Sequence, residues 1–245
     1  MVLSARIQDK LTVHAWNASR TQLAVCPNNT TVIIFQKPQT ADGPWEVVAT
    51  LAEHDALVTD IAWAPNTNRI LTTSQDRNAY VWTHESGEWK PMLVILRITA
   101  AATSVQWSMD EQKFAVGSGA RVVPICYFEA ENNFWVSKML KGHMSTIQAV
   151  AVRPTPSAAA APPRQPPRSF FSRVAAACPL PPSDSSLARR AQWHPNTPVV
   201  ATACTDYKCR IFSAYLKNVD GKAVSTPWGD NPKFGTLFYE VESSG

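Results

Sequence analysis

Short apolar runs alternate with polar clusters along most of the chain. "QLAVC" (22–26), "TVIIF" (31–35) and "WEVVATL" (45–51) form one set. "RILTTS" (69–74), "AYVW" (79–82) and "WKPMLVILR" (89–97) form a second, and "KFAVGS" (113–118), "VVPICYF" (122–128) and "FWVSKML" (134–140) a third. A fourth set holds two such runs, "VVATAC" (199–204) and "CRIFSAY" (209–215). Each run is brief, rich in β-branched and aromatic residues, and bounded by turn formers, which predicts strands. No sustained 3.6-residue periodicity competes with them. The chain is all-β on this pattern.

The sets repeat. A tryptophan precedes each of them, in "HAWNAS" (Trp16), "IAWAPN" (Trp63), "VQWSMD" (Trp107) and "AQWHPN" (Trp193). The spacings are 47, 44 and 86 residues. A four-stranded unit repeating every ~40–45 residues is the signature of a WD-type propeller blade. The third spacing is too long by one proline-rich block, Val152–Gln192. Removing its 41 residues restores a spacing of 45 and joins "STIQAVA" to "WHPN", parallel to "VTDIAWAPN" in the second unit.

That block also carries the charge. It holds nine of the 19 prolines, six arginines and one acid, a net of +5 in a chain of net +4. The remainder is slightly acidic, so the basic balance is poor grounds for nucleic-acid binding. A propeller strand is a poor place for such a block, because proline donates nothing to a strand ladder. Two readings stand. The block is a retained intron, since valine codons begin GT and Gln192 is compatible with CAG. Alternatively it is a disordered loop whose "APPRQPPR" offers a polyproline ligand.

The turns carry a polar clasp. Asp76 stands six residues before Trp82, with Ser74 just ahead and His54 upstream; Asp206 stands six before Phe212, with Thr205 ahead and His143 upstream. In WD blades the turn aspartate accepts from the histidine and from backbone, and the tryptophan and hydroxyl complete the group. In the first unit Asn29 precedes Phe35 by six; in the third, Ala120 and Cys126 hold the two positions, so the clasp is missing.

Enzyme signatures are absent from the pattern. "HESGE" (84–88) is not HExxH, "GSGAR" (117–121) is not GxGxxG, and no P-loop occurs. The five histidines read as structural, and Cys204 and Cys209 as core residues rather than a metal pair. No cofactor or metal is expected. The five scattered cysteines fit a reducing compartment. The N-terminus lacks a signal-peptide core, and "MLVIL" (92–96) falls far short of the ~20 apolar residues of a membrane span. Trp45, Trp89 and Trp135 open the third runs and suit packing between sheets, with exposed anchors as the rival reading. Arg97, Arg121 and Trp228 are the candidate partner contacts.

The phrases "DRNAYVW", "KPMLVILRI", "KFAVGSGARVV", "CYFEAENNFWVSK", "KCRIFSAYLKNVD" and "STPWG", in this order, resemble the WD-repeat subunit of the actin-related protein 2/3 complex. The resemblance runs from about His14 to Gly235, outside the block. It implies a seven-bladed, non-catalytic propeller in a cytoplasmic hetero-oligomer at the actin cytoskeleton. There it scaffolds the other subunits, meets the actin filament indirectly and supports nucleation and branching. Nucleic acid and membrane are not expected partners. The family continues for about three more blades, including a protruding segment, beyond the end of this sequence.

The expected architecture is an incomplete WD-repeat β-propeller of four to five blades. Residues 1–151 hold three blades and the start of a fourth, 152–192 the disordered block, 193–235 the rest of blade four with a loop, and 236–245 a divergent tail. About four and a half blades would leave bare strand edges and poor solubility. Two alternative functions stay open. One is a general WD adaptor, for example of a ubiquitin ligase, although "VWTHES" stands where WDxR would favour that. The other is a truncated gene-model product without function.

Overall fold

The computed structural model describes residues 10–40, 43–150, 198–221, 225–226, 229–230 and 233–242. The proline-rich block lies outside these, as do Trp193 and Trp228.

The described residues form four four-stranded antiparallel sheets and one two-stranded ribbon. The first holds β1 (Val13–Trp16), β2 (Gln22–Cys26), β3 (Val32–Gln36) and β4 (Glu46–Leu51). The second holds β5 (Val58–Trp63), β6 (Ile70–Ser74), β7 (Asn78–Glu85) and β8 (Glu88–Ile95). The third holds β9 (Ala102–Trp107), β10 (Lys113–Ser118), β11 (Val123–Glu129) and β12 (Phe134–Leu140). In the fourth, β13 (Ile147–Val150), β14 (Val199–Cys204) and β15 (Lys208–Ser213) are followed by a one-turn helix, α1 (Lys217–Asp220). A two-stranded ribbon of β16 (Ser225–Thr226) and β17 (Gly229–Asp230) comes next, and then β18 (Leu237–Glu242). β18 pairs with β15 and completes the fourth sheet. The stretch set apart in the sequence as a divergent tail therefore supplies an outer strand.

The inner strands stand side by side in chain order, β1 by β5, β5 by β9 and β9 by β13. This is the arrangement of consecutive propeller blades. The second strands β6 and β10 lie between neighbouring sheets, and β6, β10 and β14 are buried along their whole length. That is why "ILTTS", "KFAVGS" and "VVATAC" read as continuous runs rather than alternating ones. The inner strands β5, β9 and β13 each carry an irregularity near their start, where the register against the second strand shifts. Such bulges add local twist.

Three apolar clusters lie between sheets. Ala24, Ile34 and Leu51 meet Ile61, Trp63 and Ile70 between the first two. Leu71 and Val81 meet Trp107 and Phe114 between the second and third. Ile125 and Leu140 meet Ile147, Val200 and Phe212 between the third and fourth. Burying a side chain of this size is worth about 1.5–3 kcal/mol, so these contacts supply most of the adhesion.

Candidate functional site: clasps, braces and the exposed arginines

The clasp of the second sheet is a four-membered relay. His54 Nδ1 lies 2.7 Å from Asp76 Oδ2, and His54 Nε2 lies 2.8 Å from Thr72 Oγ1. Trp82 Nε1 donates to the same Thr72 oxygen at 3.0 Å. The carboxylate places the imidazole proton on Nδ1. Thr72 therefore donates to Nε2 while it accepts from the indole, and no member is left without a partner. Asp76 also caps its turn, accepting from the amides of Asn78 and Asp55. Burial lowers the His54 pKa, and Asp76 opposes that shift.

Ser74 does not hold the relay. It donates to the Ala56 carbonyl at 2.9 Å and accepts from the Asp76 amide, shaping the turn instead. The bridging hydroxyl is Thr72, two residues earlier and fully buried. Its β-branched side chain looks like that of any strand residue, and nothing in the sequence marks its role.

The fourth clasp is different. His143 Nε2 reaches Thr202 Oγ1 at 2.9 Å, and Phe212, packed 4.9 Å from the imidazole, has no N–H to offer. Thr202 turns its proton to the Arg210 carbonyl at 3.3 Å, which leaves the imidazole proton on Nε2 and a bare lone pair on Nδ1. That Nδ1 is buried and has no hydrogen-bond partner. Asp206 does not meet His143; it pairs with Arg210 Nη2 at 2.8 Å. Burial, and then the neighbouring guanidinium, push the His143 pKa down to about 4. Thr205 contacts the Ser145 hydroxyl rather than the histidine.

The first and third sheets have no clasp among the described residues. Strand register places Val25 and Val116 where Thr72 and Thr202 stand. Asn29 caps Thr31 and passes its carbonyl to the Val58 amide of the second sheet.

Polar braces join the sheets. Glu111, 1% exposed, reaches from the β9–β10 turn into the second sheet. Its carboxylate accepts from the amides of Asn66 and Thr67 and from the Thr67 hydroxyl at 2.6–2.7 Å. Arg69 answers by donating to the Glu111 carbonyl and lying 4.9 Å from the Trp107 ring. Lys113, equally buried, pairs with Asp220 of α1 at 2.5 Å and ties the third sheet to the fourth.

The tryptophans form one repeated contact. Trp16 with Trp45, Trp63 with Trp89, and Trp107 with Trp135 meet edge to face with centroids 5.7–5.9 Å apart. Each pair links the inner strand of a sheet to its outer strand or the residues that lead into it, a geometry worth about 0.5–1.5 kcal/mol beyond burial.

Of the candidate contact residues, Arg97 and Arg121 both have exposed side chains and left-handed backbone, with φ of 54° and 62°. Arg97 lies between the second and third sheets, Arg121 in the β10–β11 turn. Cys126 and Cys204 are free and buried, with thiol pKa values pushed up by burial. No group of three or more His, Cys, Asp or Glu able to hold a metal occurs among the described residues. Among them, too, no helix is long and apolar enough to cross a membrane.

Residues 45–83 match the WD domain, G-beta repeat family. The match starts on the outer strand of one sheet and ends on the third strand of the next, so the sequence repeat straddles two sheets. Over 248 residues the chain is 41% identical to actin-related protein 2/3 complex subunit 1A-B of Xenopus laevis, covering 100% of this chain and 55% of the relative. Along its whole length the chain is similar to subunit 1 of the actin-related protein 2/3 complex. Subunit 1A of Arabidopsis thaliana is 39% identical over 98% of the chain and 52% of its own length. Subunit 1 of Schizosaccharomyces pombe is 38% identical over 95% and 50%. The chain thus spans about half the length of the curated relatives it matches. Its open set of four sheets agrees with an incomplete propeller.

Proposed function

We propose that the chain acts as a non-catalytic subunit of an actin-related protein 2/3 complex, in the cytoplasm at the actin cytoskeleton. The observation that carries this is identity of 38–41% to three subunit-1 relatives over nearly the whole chain. The mechanism is rigid presentation. Inter-sheet cores, the Glu111 and Lys113 braces and the His54 relay fix each sheet against the next. The surface loops are then held in one geometry for neighbouring subunits, which the assembly needs to nucleate and branch filaments. Arg97 and Arg121 serve as contacts to acidic surfaces of those neighbours, aided by Trp228, whose position lies outside the described residues.

The test is affinity purification of the tagged chain from cells, with quantitative mass spectrometry. Other subunits of the actin-related complex are expected in near-equal amounts, and the Arg97→Glu, Arg121→Glu double variant should lower their yield several-fold. Recovery of ligase subunits, or of chaperones alone, would overturn the reading.

A further inference from the structure

The fourth sheet closes differently from the other three. In the first three sheets the outer strand follows the third strand through a hairpin, as at Ser86–Gly87 and 130–133. In the fourth, 23 residues separate Ser213 from Leu237, and they include α1 and the small ribbon. Closure by a strand that returns from a distance loses the local help of a hairpin turn and carries a larger loop-closure cost.

The adhesion differs as well. β4, β8 and β12 each bury at least one side chain fully: Leu51, Val94, and Trp135 with Leu140. No residue of β18 is fully buried; Phe238 is half-buried against Ile211 and its neighbours, while Leu237 and Tyr239 are 47% and 45% exposed. What β18 has instead is charge. Glu240 accepts from Arg210 Nε at 2.6 Å and from Lys208 Nζ at 2.8 Å, and Glu242 lies 3.7 Å from the same lysine. Among the described ion pairs, this is the one ladder that runs between a third strand and its outer strand over several groups.

Arg210 explains the disabled clasp. It occupies the position of Tyr80 in the second sheet, two residues before the ring that faces the histidine. From there it draws Asp206 away from His143 and turns its Nε toward Glu240. The cost is visible in two buried atoms without hydrogen bonds, His143 Nδ1 and Arg210 Nη1. If β18 left, Arg210 would keep Asp206, so its charge would not be orphaned.

We propose that β18 is a latched strand, docking on and leaving the edge of β15 while β13–β15 stay folded, with the Arg210–Glu240–Lys208 ladder as the latch. The released state exposes the backbone edge from Lys208 to Phe212, a conformational choice that the hairpin-closed sheets lack. Charge pairs that are partly open to water weaken with salt, whereas apolar adhesion does not.

The test is amide hydrogen exchange of the full chain, read by mass spectrometry at about 50 mM and about 1 M salt, with β8 as the internal control. Leu237–Glu242 should exchange faster than Glu88–Ile95 at low salt and accelerate several-fold at high salt, with β8 unmoved. Arg210→Gln should accelerate the same segment about tenfold at low salt while β14 keeps its protection. Lys208→Gln, at a partly exposed site that a stable fold tolerates, should give a smaller effect in the same direction and serves if the first variant does not fold. Equal protection of β18 and β8 that ignores salt and Lys208→Gln overturns the proposal. So does acceleration of all four strands of the sheet together.

Discussion

The second and fourth sheets share a scaffold and differ in what their histidine is tied to. In the second, Trp82, Thr72, His54 and Asp76 pass hydrogen bonds along one line, with the imidazole proton on Nδ1. In the fourth, the indole is a phenyl ring and the aspartate is taken by Arg210, so the proton moves to Nε2 and Nδ1 is stranded. A buried polar group without a partner costs about 1–3 kcal/mol. Two substitutions on one strand, Tyr80 to Arg210 and Trp82 to Phe212 in position, thus convert a satisfied relay into an incomplete one. What the fourth sheet gains is an ionic hold on an outer strand that has little apolar hold of its own.

The largest separation between the two should come from removing the bridging hydroxyl. Thr72→Val leaves the Trp82 N–H and the His54 lone pair both unpaired, and should cost about 3–4 kcal/mol. Thr202→Val strands only the His143 N–H and should cost about 1–2 kcal/mol. Denaturant midpoints, with amide exchange of each sheet as the local readout, compare them. Equal costs would break the distinction between the clasps.

Acid should act on the fourth sheet next. His143 has its folded-state pKa depressed to about 4. Its unfolded form takes a proton below about 6.5, while the folded form does not. Stability is therefore full above pH 6.5 and falls as pH drops toward 4, by about 3 kcal/mol at most. His54 is shifted in the same direction, but Asp76 opposes the shift, so the second sheet should lose less. Exchange rates of β14 and β6 across that pH window read the difference. A sheet-independent response would contradict it.

The smallest effect expected is a change of titration. Arg210→Tyr removes the cation beside His143 and frees Asp206 to approach Nδ1. The His143 pKa should rise from about 4 toward the ordinary histidine value, as followed by histidine NMR. The same spectra should show Nδ1–H on His54 and Nε2–H on His143 in the parent chain. An unmoved titration would mean that burial alone sets it.

Much of this was legible in the sequence because it is local. The strands, the tryptophan spacing and the six-residue step from turn aspartate to ring are all set within one unit. Thr72 is not legible there, because a threonine in a buried strand carries no mark of the hydrogen bond it makes. Glu111 and Lys113 read as ordinary charges of a hairpin turn; their partners lie 44 and 107 residues away. β18 reads as a tail because it follows a long connection, although Leu237, Phe238, Tyr239 and Val241 make it largely apolar. The clasp in the fourth sheet rests, in the sequence, on residue types alone, and only the side-chain pairing shows that Arg210 intercepts the aspartate.

In the proposed function these clasped sheets present a surface to the subunits of an actin-related complex. The most direct test mixes the full chain with recombinant complex lacking its own subunit 1 and resolves the mixture by gel filtration. The complex is expected to take up one copy of the chain, and to lose it when Thr72→Val unlocks the second sheet. A chain that elutes apart from the complex while its sheets remain protected from exchange would contradict it.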